Sequence, residues 1–174
     1  MTERTPTTTT NLDRYGNDPL AWGRAHDQLL RHNDGTEFTH FLGTVGPDGR
    51  PHVAGVGAVW LDGDLYFTSG RAARKARNLA TNPACTIAVK LAGIDLTLFG
   101  DTERVGDAAT LERLAARYRE EGWPAEVDGD VLTAPYSAPS AGAPPWHAFR
   151  FTFDTIVGVA TAEPNGATRW EFAR

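Results

Sequence analysis

The sequence predicts a mainly β protein, an antiparallel barrel with α-helices at its ends. Short segments rich in β-branched and aromatic residues follow one another through tight turn signals, above all Gly46-Pro47-Asp48-Gly49 and Asp62-Gly63. Helical periodicity is confined to a few short stretches. Strands and helices do not alternate regularly, which disfavours a parallel doubly wound sheet and favours strands joined as hairpins.

Residues 1–11 are rich in threonine and lack an apolar signal core, so they read as a disordered tail. The tail is placed over 1–15 and one domain over 16–174, with no internal repeat or linker. Asp18-Pro19-Leu20 opens a helix with Pro19 in its first turn. Leu20, Ala21, Ala25 and Leu29 recur at helical spacing, and Asn33-Asp34-Gly35 stops the helix. Strands follow over 38–45, 51–60 and 65–68. A short helix over 71–80 is closed by Asn82-Pro83. Residues 85–91 and 94–105 read as longer strands. Asp107 is an N-cap for an amphipathic helix that carries Leu111, Leu114, Ala115 and Tyr118 on one face and ends at Gly122. The Pro-, Ala-, Gly- and Ser-rich stretch 123–145 is long for a structureless loop, so it holds local turns or covers a site. Strands over 146–153, 155–160 and 168–172 complete the chain.

The 174 residues suffice for one domain core, and 41% hydrophobic with 22% charged residues is ordinary for a globular protein. A formal net charge of -5 argues against nucleic acid or an anionic membrane as the main partner. The single cysteine, Cys85, permits no internal disulfide and sits in an apolar run as a small buried residue. The apolar runs are too short to span a bilayer. Together these features predict a cytoplasmic protein.

Against that acidic background the cluster Arg71, Arg74, Lys75 and Arg77 stands out. On a helix, Arg71, Arg74, Lys75 and Asn78 fall at i, i+3, i+4 and i+7 and share a face. Cations at a helix N-terminus oppose its partial positive charge at roughly 0.3–1 kcal/mol each. A bound anion reverses that penalty, and Ser69-Gly70 adds a hydroxyl and an approachable backbone just before the helix. Arginine forks and a lysine point charge suit a phosphate. The plain alternative is a solvated basic face, with or without surface carboxylates paired to it.

Here the sequence resembles the pyridoxamine-phosphate-oxidase-like, FMN-binding split-barrel superfamily. The resemblance rests on Gly43-Thr44-Val45 with Asp48-Gly49-Arg50-Pro51-His52-Val53, then Trp60, Asp62-Gly63 and Leu65 to Gly70. Its most specific part is Ala73-Arg74-Lys75-Ala76 with Asn78-Leu79 and Asn82-Pro83. Residues 162–164 and 168–172 are similar to the C-terminus of the flavin/deazaflavin oxidoreductases that use F420. The resemblance implies a split antiparallel β-barrel with flanking helices, and a homodimer with cofactor at the interface. It implies F420, alternatively FMN, with the ring against Pro51, His52, Val53, Ala54 and Val56. Thr68, Ser69, Arg74 and Lys75 would hold the phosphate, assisted by Arg77 and Asn78, with Trp170 contributed by the partner subunit. F420 also carries a polyglutamate tail, for which Arg71 and Arg77 are added cations. The implied activity is hydride transfer between reduced F420 and a small unsaturated or carbonyl acceptor. Two alternatives stay open: an FMN-dependent oxidoreductase, and a barrel that binds flavin, F420 or a tetrapyrrole without turnover. The substrate-phosphate pattern of the vitamin B6 oxidase proper is missing.

Other chemistry is weakly signalled, and no catalytic side chain is assigned. His26, His32, His40, His52 and His147 have no metal-ligand spacing, so no metal is expected. No Gly-x-Ser-x-Gly elbow is present. Gly55 and Gly57 lie in a strand, where they admit a flat ring or mark a bend. The five tryptophans Trp22, Trp60, Trp123, Trp146 and Trp170 read mostly as core or interface residues, with Trp146 and Trp170 as candidates to border the ring.

Overall fold

The computed structural model describes residues 4–30 and 39–173. In chain order the elements are β1 (Thr8–Asn11), α1 (Trp22–Leu30), β2 (His40–Val45), β3 (Pro51–Val56), β4 (Ala58–Leu61), β5 (Asp64–Gly70), α2 (Arg74–Thr81), β6 (Ala84–Leu91), β7 (Ile94–Val105), α3 (Ala108–Glu120), β8 (Glu126–Asp128), β9 (Val131–Thr133), β10 (Trp146–Ala160) and β11 (Ala167–Glu171). The strands form one antiparallel sheet with the path β1-β11-β10-β7-β6-β2-β3, and β5 and β9 join β10 off that path. This is a mainly β split barrel with flanking helices.

The split is built into β10. One edge of this 15-residue strand pairs with β7 along its length. Its other edge pairs with β5 from Trp146 to Phe151 and with β11 from Thr155 to Val159. The register shifts between Phe153 and Thr155, so a bulge separates the two halves. The sequence reading of two strands here, 146–153 and 155–160, is corrected to one strand with a bulge. Gly100 lies opposite, and a Cβ added there would stand 2.7 Å from Phe153 Cα, too close for any side chain.

Inside the barrel, alternate residues of these strands form the core. Leu42, Phe67, Ile87, Leu98, Phe151, Phe153 and Ile156 are fully enclosed. A second cluster packs the apolar face of α3, with Leu111, Leu114, Ala115 and Tyr118, against Val59, Tyr66 and Ala148. Asp107 caps α3 as expected, accepting a hydrogen bond from Thr110 N at 2.8 Å. Cys85 is buried, and burial pushes its thiol up to about 12, so it is an inert core residue.

Several sequence expectations are corrected. The stretch 4–15 is not a free tail. Thr8 to Asn11 pair with β11, and the Arg4 guanidinium meets Asp64 at 3.2 Å and stacks over Phe153. An edge strand needs backbone partners and a β-tolerant side chain, which threonine is, so little apolar content is required. Helix α1 begins at Trp22, leaving Pro19 outside it. The strand expected over 51–60 is two, broken at Gly57, whose carbonyl accepts the Tyr118 hydroxyl at 3.1 Å. Helix α2 begins at Arg74, so Arg71 lies in the preceding turn. The stretch 123–145 holds the β8–β9 hairpin and a loop tied down by Trp123 Nε1, which donates to Tyr136 O at 2.6 Å. His32, Asn33-Asp34-Gly35 and Phe38 lie outside the described residues. No helix among the described residues is long and apolar enough to cross a membrane.

The Gly100–β10 approach yields a direct expectation. Gly100→Ala should lower unfolding stability by about 1–3 kcal/mol, as overpacking does, read as a lower denaturant midpoint.

Candidate functional site

The site centres on the opening turn of α2. Ala73 is its N-cap and offers no side-chain cap, and the first turn holds no acidic residue. The backbone N–H groups of this turn and the cations Arg74 and Lys75 therefore add up with one sign. No carboxylate among the described residues forms an ion pair with Arg71, Arg74, Lys75 or Arg77. The turn thus stands without a carboxylate partner, and its Arg71, Arg74 and Arg77 side chains are exposed. Burial also pushes the Lys75 ammonium down from its ordinary value.

One residue of the turn is structural. Asn78 is buried, and its amide donates to Thr44 Oγ1 at 3.0 Å, fastening α2 to β2. That hydrogen bond fixes the distance between the cations and the sheet. It also engages the amide that the sequence reading offered to a phosphate.

Arg74 and Lys75 face β3. Burial lowers the His52 imidazole from its ordinary value, and the positive charges of Arg74 and Lys75 lower it further. His52 Nδ1 is buried and has no hydrogen-bond partner among the described residues. Along β3 exposure alternates, so His52, Ala54 and Val56 form one row while Pro51, Val53 and Gly55 form the other. The expected ring-facing set is therefore divided between two faces. Because β3 pairs only with β2 among the described strands, its other edge is open.

Thr68 and Ser69 end β5 just before this turn. Ser69 is buried and its hydroxyl donates to Gly70 O at 3.3 Å, whereas Thr68 opens into a neighbouring cleft of about 410 Å³. Gly57, Tyr118, Trp123 and Tyr136 also line that cleft, and the loop after β9 covers it. Its aromatic walls are not singled out by sequence reasoning. The only signal is the long Pro-rich stretch.

Trp170 does not join the site. It is fully enclosed in β11, packed against Trp22 and over Gly158, where an added Cβ would stand 2.7 Å from its ring. Without exposed surface in this chain, Trp170 gives no support to the expectation that it borders a cofactor. Trp146 is likewise buried, with its indole N–H donating to Ala141 O at 3.3 Å. Arg71 and Arg77 line a different cleft from the one beside Thr68. Among the described residues no group of His, Cys, Asp and Glu gathers in a way that could hold a metal ion.

The outer face of the sheet beyond β3 is apolar and exposed. Val53, Gly43, Thr86 and Phe99 lie in one transverse row by strand register, flanked by Phe41 and Val45. Val53 is 63% exposed and Phe41 49%, unusual for apolar residues clustered on a sheet.

A split barrel whose basic helix turn stands over an open edge strand defines the class of flavin-binding split-barrel proteins. The sequence comparison makes the assignment specific: residues 28–160 match pyridoxamine 5'-phosphate oxidase, and the chain belongs to that family of flavin-binding oxidoreductases. Solved structures share the fold. One described as an F420 reductase is 24% identical, covering 75% of this chain and 94% of its own at a TM-score of 0.51. A pyridoxamine 5'-phosphate oxidase-related, FMN-binding protein from Nostoc punctiforme is 19% identical, covering 85% and 89% at 0.56. A conserved hypothetical protein from Mycobacterium tuberculosis is 18% identical, covering 91% and 89%, also at 0.56. Among curated protein sequences none matches significantly.

The electrostatics of the turn can be read at His52. Its imidazole should titrate below the ordinary histidine value of about 6.5 in NMR. Arg74→Ala and Lys75→Ala should each move the titration upward, since removing a nearby cation favours the imidazolium.

Proposed function

We propose that this chain is an F420-dependent oxidoreductase that moves a hydride between the reduced deazaflavin and a small unsaturated or carbonyl acceptor. The observation that carries the reading is the pair Arg74 and Lys75, without a carboxylate partner, on an uncapped helix turn beside the open edge of β3. The residues suit a phosphate-bearing ring cofactor. An anion at the turn relieves the crowding of like charges, and the buried, unpartnered His52 Nδ1 offers a polar contact on the same side.

When bound, such a cofactor supplies the redox chemistry. The chain's residues do the rest. Arg74 and Lys75 hold the phosphate, with Thr68 and Ser69 at its approach, while Arg77 lines the cleft on the other side of α2. The His52, Ala54 and Val56 row supports the ring from the α2 side, and Pro51 and Val53 border it where the second copy meets β3. The cleft of Gly57, Tyr118, Trp123 and Tyr136 takes the acceptor. No side chain is assigned as general acid, and solvent or a partner-subunit group delivers the accompanying proton.

The choice of F420 is supported by the likeness of 162–164 and 168–172 to the F420-using branch, and a structural neighbour is itself described as an F420 reductase. A second reading, FMN with a nicotinamide reductant, is favoured by the family match over 28–160. The apolar outer face around Phe99 and Val53 supports a homodimer that buries it, and the acidic net charge argues against nucleic-acid or anionic-membrane partners.

Spectra decide between the readings. Titration of the purified protein should show tight F420 binding and no FMN binding. The reverse result would establish the FMN reading, and a Soret band would eliminate both. Turnover of a quinone or enone with reduced F420 separates an enzyme from a carrier. Arg74→Ala and Lys75→Ala should each weaken cofactor binding by about 1.5–3 kcal/mol, and unchanged affinity in both would remove the phosphate site. Phe99→Glu, at the centre of the apolar face, should convert a dimer to a monomer in sedimentation.

A further inference from the structure

Helix α2 has basic residues on two sides, and only one side faces β3. On the other lies a separate cleft of about 410 Å³, bounded by the turn before α2, α2 itself, β7 and β10. Arg71, Arg77 and Arg104 stand around it together with His147, while Leu79 and Phe149 form an apolar floor. These residues come from three separate stretches of chain, so the convergence belongs to the fold and not to a run of sequence.

The charge in this cleft is poorly balanced. Among the described residues, Asp130 pairs with Arg104 at the exposed rim. Neither Arg71 nor Arg77 has a carboxylate partner, and Arg77 Nη1 spends one donor on the Ala72 carbonyl at 2.6 Å. Burial lowers the His147 imidazole, and the charges of Arg104 and Arg71 lower it further, opposed by Asp130. Planar guanidinium groups around a recess match carboxylate or phosphate oxygens in pairs. The apolar floor accommodates the carbon skeleton of an organic ion better than a bare inorganic one.

We infer that the cleft of Arg71, Arg77, Arg104 and His147 is a second anion-binding site, one that takes an organic polyanion bearing carboxylate or phosphate groups. It is separate from the Arg74–Lys75 turn and does not depend on what that turn binds. Such an anion has two sources: a free metabolite, or an anionic extension of a cofactor seated on the β3 side of the same helix.

The test uses the full chain with citrate as probe, titrated calorimetrically at constant ionic strength, with His147 followed by NMR. Citrate should bind saturably and move the His147 titration upward. The groups facing that imidazole are Arg71 before α2, Arg104 on β7 and Asp130 beyond β8. The double variant Arg71→Gln/Arg104→Gln should weaken citrate binding by roughly tenfold or more, as loss of charge-assisted hydrogen bonds does. Arg74→Ala/Lys75→Ala should leave the upward shift of the His147 titration by citrate in place, because that imidazole lines this cleft and not the turn. Matching circular dichroism would establish that the exposed-arginine variant is folded, and Arg77→Gln gives an independent single-site variant. Citrate that still binds with F420 or FMN saturating identifies a free anion as the occupant. Competition by F420 but not by FMN identifies the cofactor's carboxylate tail. Absence of saturable binding, or binding indifferent to Arg71, Arg77 and Arg104, overturns the inference. Failure of cofactor binding in the Arg74 and Lys75 variants would bear on the proposed function alone.

Discussion

Strand β10 must satisfy different neighbours along one edge, and the rest of the molecule is arranged around that demand. Its first half holds β5 and its second half holds β11, while β7 runs along the other edge from Ala148 to Ala160. A regular ladder cannot change partners without a local offset, and the bulge after Phe153 supplies it. Backbone crowding at the offset is tolerated because the facing residue, Gly100, has no side chain. The two half-barrels that result enclose the aromatic core of Phe67, Phe151 and Phe153. They also determine where α2 can go, since it leaves the end of β5 and must pack back over β2 and β3.

The helix turn that arrives there is not arranged for its own stability. It has no capping side chain, no acidic residue near its N-terminus, and cations that repel one another. The buried bond from Asn78 to Thr44 holds it in place, together with Ala76 and Leu79 in the core. Local instability anchored by packing elsewhere is the pattern expected where binding, not folding, selects the residues. The open edge of β3 and the exposed apolar face beyond it extend that pattern to the sheet. Backbone and side chains are left there for something other than this chain's own core to cover.

Much of this is legible in the order of the residues. The turns at Gly46 to Gly49 and at Asp62-Gly63, the Asp107 cap and the apolar stripe of α3 are local signals, and each element they predict is present. The Arg74-Lys75 pair is legible for the same reason, because helix dipole and like-charge arguments need only neighbouring residues. What local reasoning misses is non-local. The threonine-rich N-terminal stretch reads as free because its partner, β11, is far away in sequence. The resemblance offers Trp170 as a site residue because likeness of sequence carries no mark of whether the barrel closes over the ring. Arg71 shares the face of Arg74 on an ideal helix, but the true start of α2 leaves it in the preceding turn, where it meets Arg77 in a cleft beside β10.

By itself the sequence determined the class of fold, the main helices and hairpins and the presence of a basic turn at Arg74-Lys75, since all three follow from short-range periodicity, turn chemistry and charge. Only the tertiary structure decided which face of β3 the cations meet, that the aromatic residues of α3 and the covering loop wall a cleft beside Thr68, and that Arg104 and His147 join Arg71 and Arg77. Those arrangements depend on how β10 divides its edge between distant strands, and pairing between distant strands leaves no local trace in the chain.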